Sequence, residues 1–181
     1  PLDGTVNFLH GYPSYCVCVA LQDGGVLEVG VIYDPVRDHC YTAERGCGAR
    51  LDGEPLRVSE TADLGDALVA SGFPYDRRTN APEYLRYVEA FLRRAQGFRR
   101  AGAAGMDLAM LAAGQLDGFW EFGLKPWDVA AGTLIIREAG GVVSDMAGGP
   151  LDLDRPRILA SNGRIHDAML RVLGDLLGGS Q

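Results

Sequence analysis

Lysine is nearly absent: of 17 basic side chains only Lys125 is a lysine, and 24 acidic residues leave the 181-residue chain at a formal charge of −7. Such a balance opposes loose attraction to phosphate backbones, so nucleic acid is not expected as the main partner. Any anionic substrate has to be met locally, by metal ions or by aimed backbone amides. Long apolar runs are missing too; the uninterrupted ones stop at strand length, as in "VGVIY", and the Ala-rich stretch after residue 101 carries Asp107, so no membrane span is expected. The four cysteines, at 16, 18, 40 and 47, lack the doubled pair spacing of a zinc site. Cys16 and Cys18 lie two apart in a strand-like run and should share one buried face. That usage fits a reduced, cytoplasmic setting.

What is present is enough for a folded domain, with 47% hydrophobic and 23% charged residues and neither a repeat nor a low-complexity linker. One compact unit over residues 1–181 is expected. Residues 14–22 and 26–33 are β-rich runs around "DGG", a hairpin signal, and "HCYTAE" at 39–44 and the turn in "LDGEPL" extend an antiparallel meander. "ALVASG" at 67–72 reads as a strand ending in the loop "GFPYDRR". From Pro82 the period changes, and Leu85, Val88, Phe91 and Leu92 predict the buried face of an amphipathic helix. Strand, Ala-rich helix, strand, a helix opening at Pro126 and closing at Gly140-Gly141, the strand "RILASN" and a last amphipathic helix follow. The order predicts layered α/β structure with a mixed sheet.

Two short stretches carry chemistry. Asp3-Gly4-Thr5 offers a carboxylate, a residue over which a ligand can come close, and a hydroxyl beside amides that become an anion site if a helix starts there. The same triplet is also an ordinary turn or helix cap. Asp128, in "KPWDVAAG", is equally a helix-start carboxylate favoured by the macrodipole and a rigidly held ligand for a hard cation. Trp127 beside it reads as a core residue or as part of that setting.

Taken together, "PLDGTVNF" and, about 120 residues later, "WDVAAGTLIIREAGG" resemble the two signature motifs of the inositol monophosphatase family, the Mg²⁺-dependent, lithium-sensitive sugar-phosphate phosphatases. "GFPYDRR", "RRAGAAGMDLAMLAAGQLDGFWEFGLKPWD" and "ILASN" extend the resemblance over nearly the whole chain. It implies the layered α-β-α-β-α sandwich of that family, here without its N-terminal helices and first strands. It also implies Mg²⁺ held by Asp3, Asp128 and the carbonyl of Leu2, phosphate held by the amides of Gly4 and Thr5, and a Thr5 hydroxyl that orients or deprotonates the attacking water, with Asp3 and Thr5 as the catalytic pair. Gly102, Ala103 and Ala104 match the helix start that meets the substrate's hydroxyl groups, and Glu121 matches the acid that accepts a hydrogen bond from one. Where relatives often carry Thr, Ala103 removes a hydroxyl, which loosens inositol selectivity. No histidine is required, and His10, His39 and His166 lie outside both motifs.

The resemblance also places further metal ligands in a "GEE"-like segment and in the Asp of "DPLDGT", ahead of Pro1. The chain is therefore expected to be the C-terminal two-thirds of one domain, inactive by itself and exposing an apolar face. The expected substrate is a small phosphomonoester, myo-inositol 1-phosphate first, with histidinol phosphate, fructose 1,6-bisphosphate and 3′-phosphoadenosine 5′-phosphate as alternatives. A homodimer is the expected assembly, with Arg99 and Arg100 as interface candidates. A role of another class, as a protein-binding regulator of transcription or ribosomal RNA processing, is the second expectation.

Overall fold

The computed structural model describes residues 2–177, and of Leu177 only the backbone. Six strands form an antiparallel meander in sequence order: β1 (Leu2–Asp3), β2 (Cys16–Asp23), β3 (Val26–Asp34), β4 (His39–Glu44), β5 (Ala49–Leu51) and β6 (Glu54–Leu56). A second sheet, mixed as expected, has β7 (Leu68–Ser71), β8 (Gly97–Arg99), β9 (Gly118–Phe122), β10 (Val142–Asp145) and β11 (Arg157–Ser161) in the order β10-β11-β9-β7-β8. Here β7 runs parallel to β8 and β9, and the other neighbours are antiparallel.

Helices α3 (Ala104–Ala112) and α4 (Pro126–Glu138) pack on each other and fill the space between the sheets. Their small, apolar sequence suits that position, since a helix enclosed on both sides has no need of a polar stripe. On the far side of the mixed sheet lie α2 (Arg77–Leu92) and α5 (His166–Leu177), which bury the stacked pair Phe91 and Trp120 with Tyr87, Met169 and Leu173. The layers therefore run β-α-β-α. The outer face of the first sheet leaves Val17, Val19, Leu21 and Val29 exposed, one side of a period-two alternation whose other side is buried at Cys16, Cys18, Gly30 and Ile32.

Helix α2 corrects two expectations. It starts at Arg77, before Pro82, because the chain first makes a helical turn and then kinks at Asn80 (φ −109°, ψ 19°). Its buried face is Tyr87, Ala90 and Phe91, while Leu85 and Leu92 are exposed. The kink sets the rotation of the second segment, and the aromatic cluster around Trp120 takes Tyr87 and Phe91 in preference to the leucines.

Candidate active site

The site is assembled where four element ends meet. Strand β1 pairs at the edge of the first sheet with Asp3 opposite Cys16, and the backbone then turns through Gly4 (φ 78°) into the short helix α1 (Thr5–Leu9). A side chain at Gly4 would need a left-handed backbone and would sit 2.8 Å from the Ser14 carbonyl, so glycine is required on both counts. Asn7 holds the turn in place: its Nδ2 donates to the carbonyls of Ser14 (2.6 Å) and Ala101 (2.9 Å), tying α1 to the approach to α3.

At the start of α3, the N–H of Gly105 donates to Asp3 Oδ2 at 2.8 Å, and the N–H of Gly4 donates to Asp3 Oδ1 at 2.8 Å. Burial nevertheless pushes the Asp3 carboxyl above its ordinary range; the Gly105 and Gly4 amides oppose the rise and the charge of Asp128 adds to it. Asp128, in the first turn of α4, accepts the Lys125 N–H on Oδ2 at 2.8 Å, and burial raises its carboxyl against that bond and the Lys125 charge. Asp128 thus takes the helix-start role read from the sequence, and its charge reaches Asp3 across the site.

A cavity of about 540 Å³ opens here, and all nine candidate residues named from the sequence line it. Leu2, Asp3, Gly4 and Thr5 come from the first turn, Gly102, Ala103 and Ala104 from the start of α3, Glu121 from the end of β9, and Asp128 from α4. The Thr5 hydroxyl donates to the Leu2 carbonyl over a long 3.4 Å, and the Gly4 amide is engaged by Asp3 as described. Glu121 is buried at the end of β9, whereas Trp127, 60% exposed on the rim, is not a core residue.

Gly105, Asn7, Asp107 and Arg100 were not assigned to the site from sequence. Asn7 sits inside "DGTVNF" and could have been found there. Asp107 is the only charged residue in α3, and a lone acid in an apolar helix was its signal. Burial raises the carboxyls of both Asp107 and Glu121 to about 8; for Asp107 the charge of Asp3 adds to the rise, for Glu121 that of Asp107 does so. Arg100 follows β8, stacks its guanidinium 5.6 Å from the centre of the Phe73 ring and lines the cavity. The histidines stand apart: His10 is exposed, and buried His166 is held at 2.9 Å by the hydroxyls of both Ser144 and Ser161.

The donors at Asp3 and Asp128 fit a hard divalent cation in kind. They are oxygens only, and burial raises each carboxyl above its ordinary range, an opposition to the charged form that a cation relieves. Among the described residues no group of three His, Cys, Asp or Glu side chains converges there. Two carboxylates with phosphate and water completing the shell is the usual arrangement for Mg²⁺.

These features define a layered α/β protein whose helix starts gather paired carboxylates around a glycine turn. The chain belongs to the inositol monophosphatase family, whose sequence model, described as "Inositol monophosphatase family", matches residues 1–176. Nus factor SuhB of Escherichia coli K12 is 46% identical over 177 residues, covering 98% of this chain and 66% of that protein. The structure of an inositol monophosphatase from Anabaena (Nostoc) superposes with a TM-score of 0.94 at 44% identity, over 97% of this chain and 69% of that one. More distantly, an IMPase/NADP phosphatase complexed with NADP and Ca²⁺ aligns at 25% identity and a TM-score of 0.83, over 95% of this chain and 65% of that one. The chain spans 66% of the length of the curated relatives it matches.

Proposed function

We propose that the whole protein is a Mg²⁺-dependent phosphomonoesterase acting on a polyol or sugar phosphate, with myo-inositol 1-phosphate as the first substrate to test. The observation that carries this reading is the meeting of Asp3 and Asp128, 125 positions apart, in one cavity with the Gly4-Thr5 turn and Glu121. Asp3, Asp128 and the Leu2 carbonyl would hold the cation. Bound there, it would draw charge from the phosphoryl oxygens and make water a usable nucleophile near neutral pH. The chain's own residues would do the positioning: the Thr5 hydroxyl and amide would meet the phosphate and the incoming water, joined by the Gly4 amide once Asp3 Oδ1 turns away from it to the cation. The amides at Gly102, Ala103 and Ala104 and the Glu121 carboxyl face the departing alcohol. Phosphate release from inositol 1-phosphate tests this. It should require Mg²⁺, fall with lithium, and be lost on Asp128→Asn; release that persists in that variant removes Asp128 from the site.

A second reading is supported by the names of the SuhB relatives, which are called Nus factors. In it the protein acts through protein partners in transcription, as a homodimer with Arg99 near its contact surface. Partner capture that survives Asp3→Asn with Asp128→Asn would support it and separate it from catalysis.

A further inference from the structure

Asp107 and Glu121 come from different layers, α3 and β9, yet both line the same cavity. Only 2% of Asp107 and 7% of Glu121 is exposed, and neither carboxyl accepts a hydrogen bond from the described residues. A buried carboxyl without a donor is costly unless something supplies one, and the remaining open side of each is the cavity. Three further charged groups act on the pair. Asp3 and Asp128 oppose its ionisation, and Arg100 favours it. Arg100 lines the same cavity, its guanidinium over the Phe73 ring, and has no carboxylate within ion-pair distance among the described residues, so its positive charge acts on the pair from beyond contact.

From this geometry we infer that Asp107 is a second hydroxyl-reading residue, paired with Glu121, and that together they select a polyol with adjacent hydroxyl groups over a simple alcohol or an amine. The inference rests on the polyol-phosphate reading above and adds to it a residue outside both signature motifs. The chemistry argues for hydroxyls in two ways. A neutral carboxyl both donates and accepts, which matches a hydroxyl; two of them lining one cavity match two hydroxyls of one ligand. An ammonium group would instead need both carboxyls charged and would be repelled by Arg100. A hydrophobic pocket rejects a competitor weakly, whereas buried polar groups left unpaired reject it strongly, so the pair acts on specificity.

The test uses free myo-inositol and cyclohexanol, the same ring with one hydroxyl, with binding to the chain followed by ligand-observed NMR. The unaltered chain should bind inositol and not cyclohexanol. Asp107→Leu, of similar size without polar atoms, should weaken inositol about tenfold or more, while Asp107→Asn, which still donates and accepts, should stay within about threefold. Equal inositol binding by the parent and Asp107→Leu overturns the inference, as does no inositol binding by the parent. A second measurement needs no variant: the ¹³C resonance of the Asp107 carboxyl should move on adding inositol, and a fixed resonance under saturation overturns the assignment. Neither readout depends on phosphate release, so a protein that binds inositol but releases no phosphate refutes the hydrolytic reading alone.

Discussion

The Oδ2 atom of Asp3 accepts the N–H of Gly105 at 2.8 Å across 102 positions of sequence. This bond is possible because Gly105 has no side chain: a Cβ there would lie 2.5 Å from Cys18 Sγ and 2.8 Å from Cys16 Sγ. Those two thiols, 3.6 Å apart, form the floor beneath the start of α3. Gly105→Ala should therefore overpack the floor and cost about 1–3 kcal/mol in urea unfolding. Adding Cys18→Ala should return much of that loss, because the two sites touch. A double variant no more stable than Gly105→Ala would mean that the thiols are not the obstacle.

Asp128 caps α4 and is also the proposed cation ligand, and a single substitution separates the two roles. Asparagine keeps an oxygen for the Lys125 N–H, so the α4 cap survives in Asp128→Asn. Without metal, the midpoint of thermal unfolding should change little, by about 0.5 kcal/mol or less. Millimolar Mg²⁺ should raise the midpoint of the parent chain through binding to the folded state, and this rise should vanish in the variant. An equal rise in both would place the cation elsewhere.

The motifs "DGT" and "WD" are legible through their resemblance to the two family signatures, since each by itself is also an ordinary turn or helix start, and the cavity does gather them. The meander was legible from alternation and turn residues. Less visible was whatever depends on two distant segments meeting. Gly105 looks like any small residue of an Ala-rich helix until Cys16 and Cys18 are known to lie under it. Rotation of α2 is settled by the kink at Asn80 and by Trp120 on another strand, neither of which enters a count of apolar spacing within the helix.

That rotation has a measurable consequence. Phe91 is fully buried and stacks on Trp120 with ring centres 5.5 Å apart, while its neighbour Leu92 is 60% exposed. Phe91→Ala should cost about 3–5 kcal/mol through lost contacts and an unfilled cavity. Leu92→Ala should cost about 0.5 kcal/mol or less. Comparable losses at both positions would restore the face expected from the sequence.

Stability should also depend on pH through Asp107 and Glu121, and the direction follows from their protons. Both carboxyls are raised to about 8 in the folded chain, first by burial; Arg100 opposes the rise at each. The unfolded chain releases these protons near pH 4, in the ordinary carboxylate range. Between about pH 4 and about pH 8 the folded state therefore binds more protons than the unfolded one, and stability falls as pH rises through that window. Each group contributes at most about 1.4 kcal/mol per pH unit, and because the two interact the measured slope belongs to the pair. His166 acts in the opposite direction: burial lowers its pKa, so stability is lost as pH falls toward and below the folded value. Urea midpoints followed across the carboxylate window should decline toward alkaline pH in the parent, and less steeply in Asp107→Asn, where one proton is no longer at stake. An unchanged slope in that variant would show that Asp107 releases its proton in the folded chain at the ordinary carboxylate pH and is not held neutral by burial.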